Sequence, residues 1–262
     1  SVLLEPFRCS YEFISNTLKS ESSKYVLQKN YSAGGYSTYL LDKTSKISFD
    51  DCDILLVSPY IEESIPLNVT AIIYEDDVLI FPPSIQIIVN DSNRLLYKGA
   101  DFIAYKELDK IIKQKVLQYS QIICENLKNI GYRGICGIDY ITDNNDVFFM
   151  EINERFQASS YLINMALKEI GFPSLHRLCM ESFQKSKSTI NLSEFEINYS
   201  SYIYTYHQKF CHCYPYILSK AKSNKNIIRI LEDGFLQNAV FEEDAYLFTL
   251  VSDINMVSIG YD

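Results

Sequence analysis

The stretch that decides the fold runs Gly137-Ile138-Asp139-Tyr140-Ile141, crosses the turn-rich Thr142-Asp143-Asn144-Asn145-Asp146, and returns as Val147-Phe148-Phe149-Met150-Glu151-Ile152-Asn153-Glu154-Arg155-Phe156-Gln157. Two apolar strand patterns, 134–141 and 147–153, flank polar turn residues, so the segment reads as a β-hairpin. Side chains two apart on a strand share a face. Glu151 and Asn153 therefore point one way, while Met150 and Ile152 point into the opposite layer. A loop over 142–146 pairs Ile141 with Val147 and Asp139 with Phe149. Asp139 then lies diagonal to Glu151, at the ~7–8 Å of such neighbours.

Two carboxylates and an amide converging on one sheet face repel one another unless a cation sits among them. Magnesium suits such a set, because it is a hard ion that takes one or two protein carboxylates together with the phosphates of a bound nucleotide. Taken alone, D…E-x-N also describes a solvated hairpin with a polar outer face.

Working upstream, Lys24 to Lys29 is a short strand that enters Asn30-Tyr31-Ser32-Ala33-Gly34-Gly35-Tyr36-Ser37-Thr38, with a further strand at Tyr39-Leu40-Leu41. Glycines let successive backbone N–H groups aim at one point, a concavity that accepts phosphate, and Lys29 adds a point charge. The bland reading is a hairpin turn with a surface lysine. The loop matches neither G-x-x-x-x-G-K-[ST] nor G-x-G-x-x-G. Ile54 to Val57 is a buried-strand run expected to stop at Ser58-Pro59, because proline cannot donate to a ladder. Leu67 to Tyr74 and Val78 to Phe81 read as a hairpin turning at Glu75-Asp76-Asp77.

Downstream of that hairpin, the apolar positions 108, 111, 112, 116, 119, 122, 123 and 127 predict an amphipathic helix from Glu107 to Lys128, ending at Asn129-Ile130-Gly131. Helices are predicted over 158–170 and 174–183, then a polar connector over 184–198. Strands follow at 201–206 and 245–251. Strands that arrive in hairpins with interspersed helices point to an α+β fold rather than a doubly wound parallel sheet.

The chain has 262 residues, about 1.7 domains' worth at roughly 150 per domain. Its net charge of −9 argues against nucleic acid as the principal partner. The seven cysteines are scattered and odd in number, unlike a disulfide framework. No apolar run approaches the ~20 residues needed to cross a bilayer, and the N-terminus lacks the features of a secretory signal. A cytoplasmic protein without a membrane partner is expected.

In order and spacing the motifs resemble the ATP-grasp superfamily of ATP-dependent ligases, in particular its biotin carboxylase-like and carbamoyl-phosphate synthetase-like members. The likeness rests on Lys29 to Thr38, on Leu55-Leu56-Val57-Ser58-Pro59-Tyr60-Ile61-Glu62-Glu63, on the G-x-D strand ending at Asp139, and on E-I-N-x-R-x-Q at Glu151 to Gln157. It implies an ATP-grasp fold of two α+β subdomains that clasp the nucleotide, residues 1–57 and 58–262. It further implies that Lys29 and the loop bearing Ser32, Gly34 and Gly35 contact ATP phosphates. Ser58, Tyr60 and Ile61 would take the adenine edge, and Glu62 or Glu63 the ribose hydroxyls. Asp139, Glu151 and Asn153 would bind Mg2+, with Mn2+ as the substitute, and Arg155 would stabilise the transferring phosphoryl group, with Gln157 nearby.

The implied activity joins a small-molecule or peptide carboxylate to an amine through an acyl phosphate. The implied alternative is an ATP-binding regulatory or subunit-like module without independent catalysis. Members usually carry a further N-terminal domain, whereas 23 residues precede Lys24 here. A fragment, a partner subunit that supplies that wall, or lost activity would each account for this, and a homodimer is allowed.

Weaker signals are His176, Cys179 and Cys211-His212-Cys213 as zinc ligands, and Arg94, Lys98 and Lys106 as holders of a substrate carboxylate. The tyrosines at 202, 204, 206, 214 and 216 are expected to form one packed face of a sheet.

Overall fold

The computed structural model describes residues 7–10, 24–29, 37–41, 54–143, 145–205, 214–232 and 245–257. The first strands are β1 (Phe7–Ser10), β2 (Tyr25–Lys29), β3 (Thr38–Leu41), β4 (Ile54–Pro59), β5 (Ile65–Ile73) and β6 (Val78–Ile80). A long hairpin, β7 (Ser84–Asp91) and β8 (Arg94–Asp101), leads through the short helix α1 (Phe102–Tyr105) into α2 (Lys110–Asn129). Then come β9 (Gly134–Thr142), β10 (Val147–Asn153), α3 (Ser160–Glu169), α4 (Leu175–Ser182) and β11 (Ser200–Thr205). The described chain closes with α5 (Tyr214–Ser223), β12 (Ile227–Leu231) and β13 (Tyr246–Ser252). The fold is α+β, as expected. None of the described helices is long and apolar enough to cross a membrane.

Among the described residues every strand pairing is antiparallel, in the order β1-β4-β2-β3-β8-β7-β5-β9-β10, with β6 on β5 and β11-β13-β12 branching from β8. Among the described residues the join between β3 and β8 is a single pair, Tyr39 with Arg94. On its far side Leu27, Leu41, Leu55 and Val57 form a core of their own. The main core is built on β5, whose IPLNVTAII run is buried at all but one position, as a central strand covered on both faces must be.

Against that strand α2 lays Ile112, Val116, Ser120 and Cys124, four residues apart and all buried. Each fully buried Ile or Val is worth about 1.5–3 kcal/mol. Ile111 and Ile122, counted in the apolar pattern, lie off this stripe and are exposed. The helix starts at Lys110 rather than Glu107, because Asp109 caps it by accepting from the Ile111 N–H at 2.6 Å. It ends as expected, with Gly131 at φ +89°.

Two expectations are corrected. First, β4 does not stop before Ser58-Pro59 but pairs through both, Ser58 with Val26 and Pro59 with Tyr25. The Tyr60 N–H donates to the Lys24 carbonyl, so Pro59 falls at the alternate, non-hydrogen-bonded position where a missing donor costs nothing.

Second, the register of the β9–β10 hairpin is Thr142 with Val147 and Tyr140 with Phe149. A bulge at Met150 then sets Glu151 directly opposite Asp139. Between the β5–β6 hairpin and α1, β7 and β8 form a further hairpin. Their two-residue turn, Ser92-Asn93, has φ +52° and +70°, the primed-turn geometry that Asn-Gly usually signals.

Of the tyrosines, Tyr204 stacks on Phe248 at 5.2 Å, whereas Tyr216 is exposed.

Candidate functional site

A cleft of about 1290 Å³ lies between the β1–β4 group and the β7-β5-β9-β10 face. Its floor is one rung of the sheet: Ser84 pairs with Asn68, Asn68 with Asp139, and Asp139 with Glu151. Directly paired residues project from the same face, so four polar side chains run in line across four strands.

Asn68 Nδ2 donates to Asp139 Oδ1 at 2.5 Å, Gln86 Nε2 to the same oxygen at 2.9 Å, and Asn153 Nδ2 to Asp139 Oδ2 at 3.0 Å. Asn153 Nδ2 also reaches Glu151 Oε1 at 2.9 Å, so one amide bridges the two acids. Burial, and then the Glu151 charge, push the Asp139 carboxyl up to about 6, against the opposing pull of Asn68 and Arg155.

The bulge brings Met150 into the cleft wall beside Glu151. This corrects the expectation that it faces the opposite layer: an extra residue breaks the alternation of faces.

Arg155 follows β10 and lines the same cleft, its Nη2 3.4 Å from Asn153 Oδ1. Gln157 folds back over Gly137, accepting from Thr70 Oγ1 at 3.3 Å. A Cβ on Gly137 would sit 1.9 Å from the Gln157 side-chain amide. Gly137→Ala should therefore expel Gln157 and cost about 1–3 kcal/mol, as overpacking does. The double variant Gly137→Ala/Gln157→Ala should melt above Gly137→Ala alone, and an equal or lower melting temperature would refute the contact.

From the opposite wall Lys29, Ser58, Tyr60 and Ile61 face the cleft. The Lys29 N–H donates to the Ser37 carbonyl at 3.1 Å, closing the loop that bears Ser32, Gly34 and Gly35. Those three lie outside the described residues. Glu62 instead pairs with Lys24 at 2.9 Å on the surface, and neither it nor Glu63 lines the cleft.

The three weaker cations are engaged elsewhere. Lys106 bridges Glu196 and Asn198, buried Lys98 donates to Thr205 Oγ1, and Arg94 pairs with Asp91. His176 stacks on Phe156 at 4.3 Å, and residues 211–213 lie outside the described residues.

Among the described residues no cluster of three His, Cys, Asp or Glu side chains offers a metal site. The donor set at Asp139, Glu151 and Asn153 is all oxygen once the Asn153 amide turns, with two negative charges held against each other. That chemistry fits Mg2+ or Mn2+ and not a soft ion.

Sequence reasoning missed Asn68, Met256 and Val257, all of which line the cleft. A signal for Asn68 existed: it is the polar interruption of an otherwise apolar central strand.

The family model for the ATP-grasp domain matches residues 6–159. Among solved structures, carboxyaminoimidazole ribonucleotide synthase from Aspergillus clavatus, in complex with ATP, is 14% identical with a TM-score of 0.64, over 95% of this chain and 64% of that one. L-amino acid ligase from Bacillus licheniformis is 11% identical with a TM-score of 0.62, over 95% and 62%. Biotin carboxylase from Campylobacter jejuni is 13% identical with a TM-score of 0.55, over 95% and 58%. The chain thus spans under two thirds of the length of these proteins, and at such identities the likeness is one of fold. No curated protein matches the chain in sequence.

Proposed function

This chain belongs to the ATP-grasp family, and from that premise we propose that it is an ATP- and Mg2+-dependent ligase joining a carboxylate to an amine through an acyl phosphate. The observation that carries the reading is the convergence of Lys29, Asp139, Glu151, Asn153 and Arg155 on one cleft.

The carboxylate oxygen forms a bond to the γ-phosphorus as the bond to the bridging oxygen breaks, and ADP leaves with that electron pair. The amine lone pair then forms the C–N bond, the acyl C–O bond breaks, and phosphate departs with its electrons and the amine's proton. Such transfers need positioning and charge neutralisation more than covalent help. Asp139, Glu151 and Asn153 would hold the divalent ion, which when bound neutralises phosphate charge. Lys29 binds the phosphates, and Arg155 faces the charge that develops on the transferring group. The β1–β4 group and the β7-β5-β9-β10 face would form the two halves of the clasp, with β4 running past the expected boundary after residue 57.

The test is ADP release from Mg-ATP by the full chain under a matrix of carboxylates and amines. Release that requires both reactants supports a ligase. Tight Mg-ATP binding with no release under any pair would replace it with a nucleotide-binding regulatory module.

Lys29→Ala should weaken Mg-ATP binding by about ten- to a hundred-fold, the scale of one charge-assisted phosphate contact. Isothermal titration reads this directly, and parental affinity in the variant would remove Lys29 from the phosphate site.

A further inference from the structure

Asn68 breaks the apolar run of β5, where Leu67 and Val69 on either side are fully buried and Asn68 itself is 5% exposed. A buried amide is costly unless both of its polar ends find partners. Both ends do. Its Nδ2 donates to Asp139 Oδ1 at 2.5 Å, and its Oδ1 accepts from the Ser159 hydroxyl at 3.4 Å.

Ser159 stands at the N-cap of α3, where a serine side chain ordinarily accepts from the N–H groups of its own helix. Here the backbone is helical at φ −68° and ψ −17°, the side chain makes no cap hydrogen bond, and the buried hydroxyl turns to Asn68 instead. That fixes which way the amide faces. An ionised carboxylate only accepts, and a donating hydroxyl needs an oxygen, so Nδ2 lies toward Asp139 and Oδ1 toward Ser159.

One oxygen of Asp139 is then filled. A carboxylate oxygen has two lone pairs, and Oδ1 accepts from both Asn68 Nδ2 and Gln86 Nε2. Oδ2 accepts from Asn153 Nδ2, an amide of the donor set that turns when its own oxygen is needed. Asp139 therefore has Oδ2 to offer a cation. Mg2+ keeps near-octahedral order with single carboxylate oxygens and waters, whereas Ca2+ gathers more ligands and takes both oxygens of a carboxylate readily. An acid with one oxygen tied back suits the first ion and denies the second a ligand.

We propose, resting on the metal and nucleotide part of the reading above, that Asn68 is a positioning residue for the cation. Locked by Ser159, it holds Asp139 to one free oxygen and so makes the site favour Mg2+ over Ca2+.

The experiment is calorimetric titration of ADP into the full chain with saturating Mg2+ or Ca2+, read as the ratio of the Ca2+ to the Mg2+ dissociation constant. A merely structural Asn68 would weaken both ions alike and leave that ratio still. Asn68→Leu keeps β5 apolar and donates nothing, so the ratio should fall about ten-fold, the scale of one charge-assisted contact. Ser159→Ala frees the amide to turn and should lower it about three-fold, the scale of one weak neutral hydrogen bond. Thr70→Val, two residues along β5, loses only its contact with Gln157 and should keep the parental ratio. Equal affinity of the parent for the two ions, a parental ratio in Asn68→Leu, or an equal fall in Thr70→Val overturns the proposal and leaves the nucleotide site standing. Should Asn68→Leu not fold, Ser159→Ala carries the test, and a parental ratio there overturns the proposal. Failure of the parent to bind ADP with either ion overturns the nucleotide reading as well.

Discussion

Replacing Glu151 with alanine will erase the difference in melting temperature between samples given ATP with Mg2+ and samples given ATP alone. In the parent, a ligand at a hundred times its dissociation constant adds about 2.7 kcal/mol, which in a chain of this size raises the melting temperature by about 5–10 °C. Glu151 and Asp139 stand directly opposite each other and supply both carboxylates of the donor set. Loss of one leaves a single carboxylate beside a neutral amide, which removes half of the protein charge facing the ion and weakens its hold on a strongly hydrated cation.

The variant should not be less stable without ligand, because its carboxylate raises the cost of ionising Asp139. The Asp139 carboxyl titrates near 6 in the fold, above its ordinary range, so the folded state binds its proton more tightly than the unfolded chain does. Stability from this group is therefore present at low pH and is lost as pH rises toward 6. Removing the neighbouring charge relieves part of that loss. A full Mg2+-dependent shift in Glu151→Ala would take the metal away from this pair of strands.

Gly99→Ala is the substitution expected to damage the fold most. Gly99 sits on β8 at φ +154°, where a Cβ would lie 1.9 Å from the backbone carbonyl oxygen of Ser201 on β11. A backbone atom cannot swing aside as a side chain can, so β11 must separate from β8. The points that lie beside it, the Asp101–Ser200 pair and the Ser201 hydroxyl bonded to the Ala100 N–H, go with it. A loss of about 3–5 kcal/mol follows, at the severe end for single changes, or roughly 10 °C in melting temperature.

Gly131→Ala is the control. It also has positive φ, but its Cβ would meet nothing within 4 Å, so only the backbone preference of about 1 kcal/mol is lost. Equal melting temperatures for the two variants would dismiss the strand contact as the cause.

That Asp139, Glu151 and Asn153 belong to one hairpin was readable, because the strand patterns and the turn between them are local, whereas the alternation of faces holds only where no bulge interrupts it. The spacing of Ile112 and Val116 was readable as a local property of a helix. The position of Pro59 and the exposure of Ile111 were not, since each depends on which neighbouring element is present at that point. Nor was the surface ion pair of Glu62 with Lys24, because distance along the chain says nothing about which ammonium stands opposite.

The residue types, their alternation and their order were enough to define an α+β chain with an acidic hairpin and a lysine-bearing strand. Which acid faces which, and what stands beside them, came from packing. The bulge at Met150 moves Glu151 from diagonal to opposite Asp139, and the rung Ser84-Asn68-Asp139-Glu151 joins positions up to 67 residues apart. Pairing between distant strands is set by the burial and hydrogen bonding of the whole sheet at once, so no window of sequence contains it.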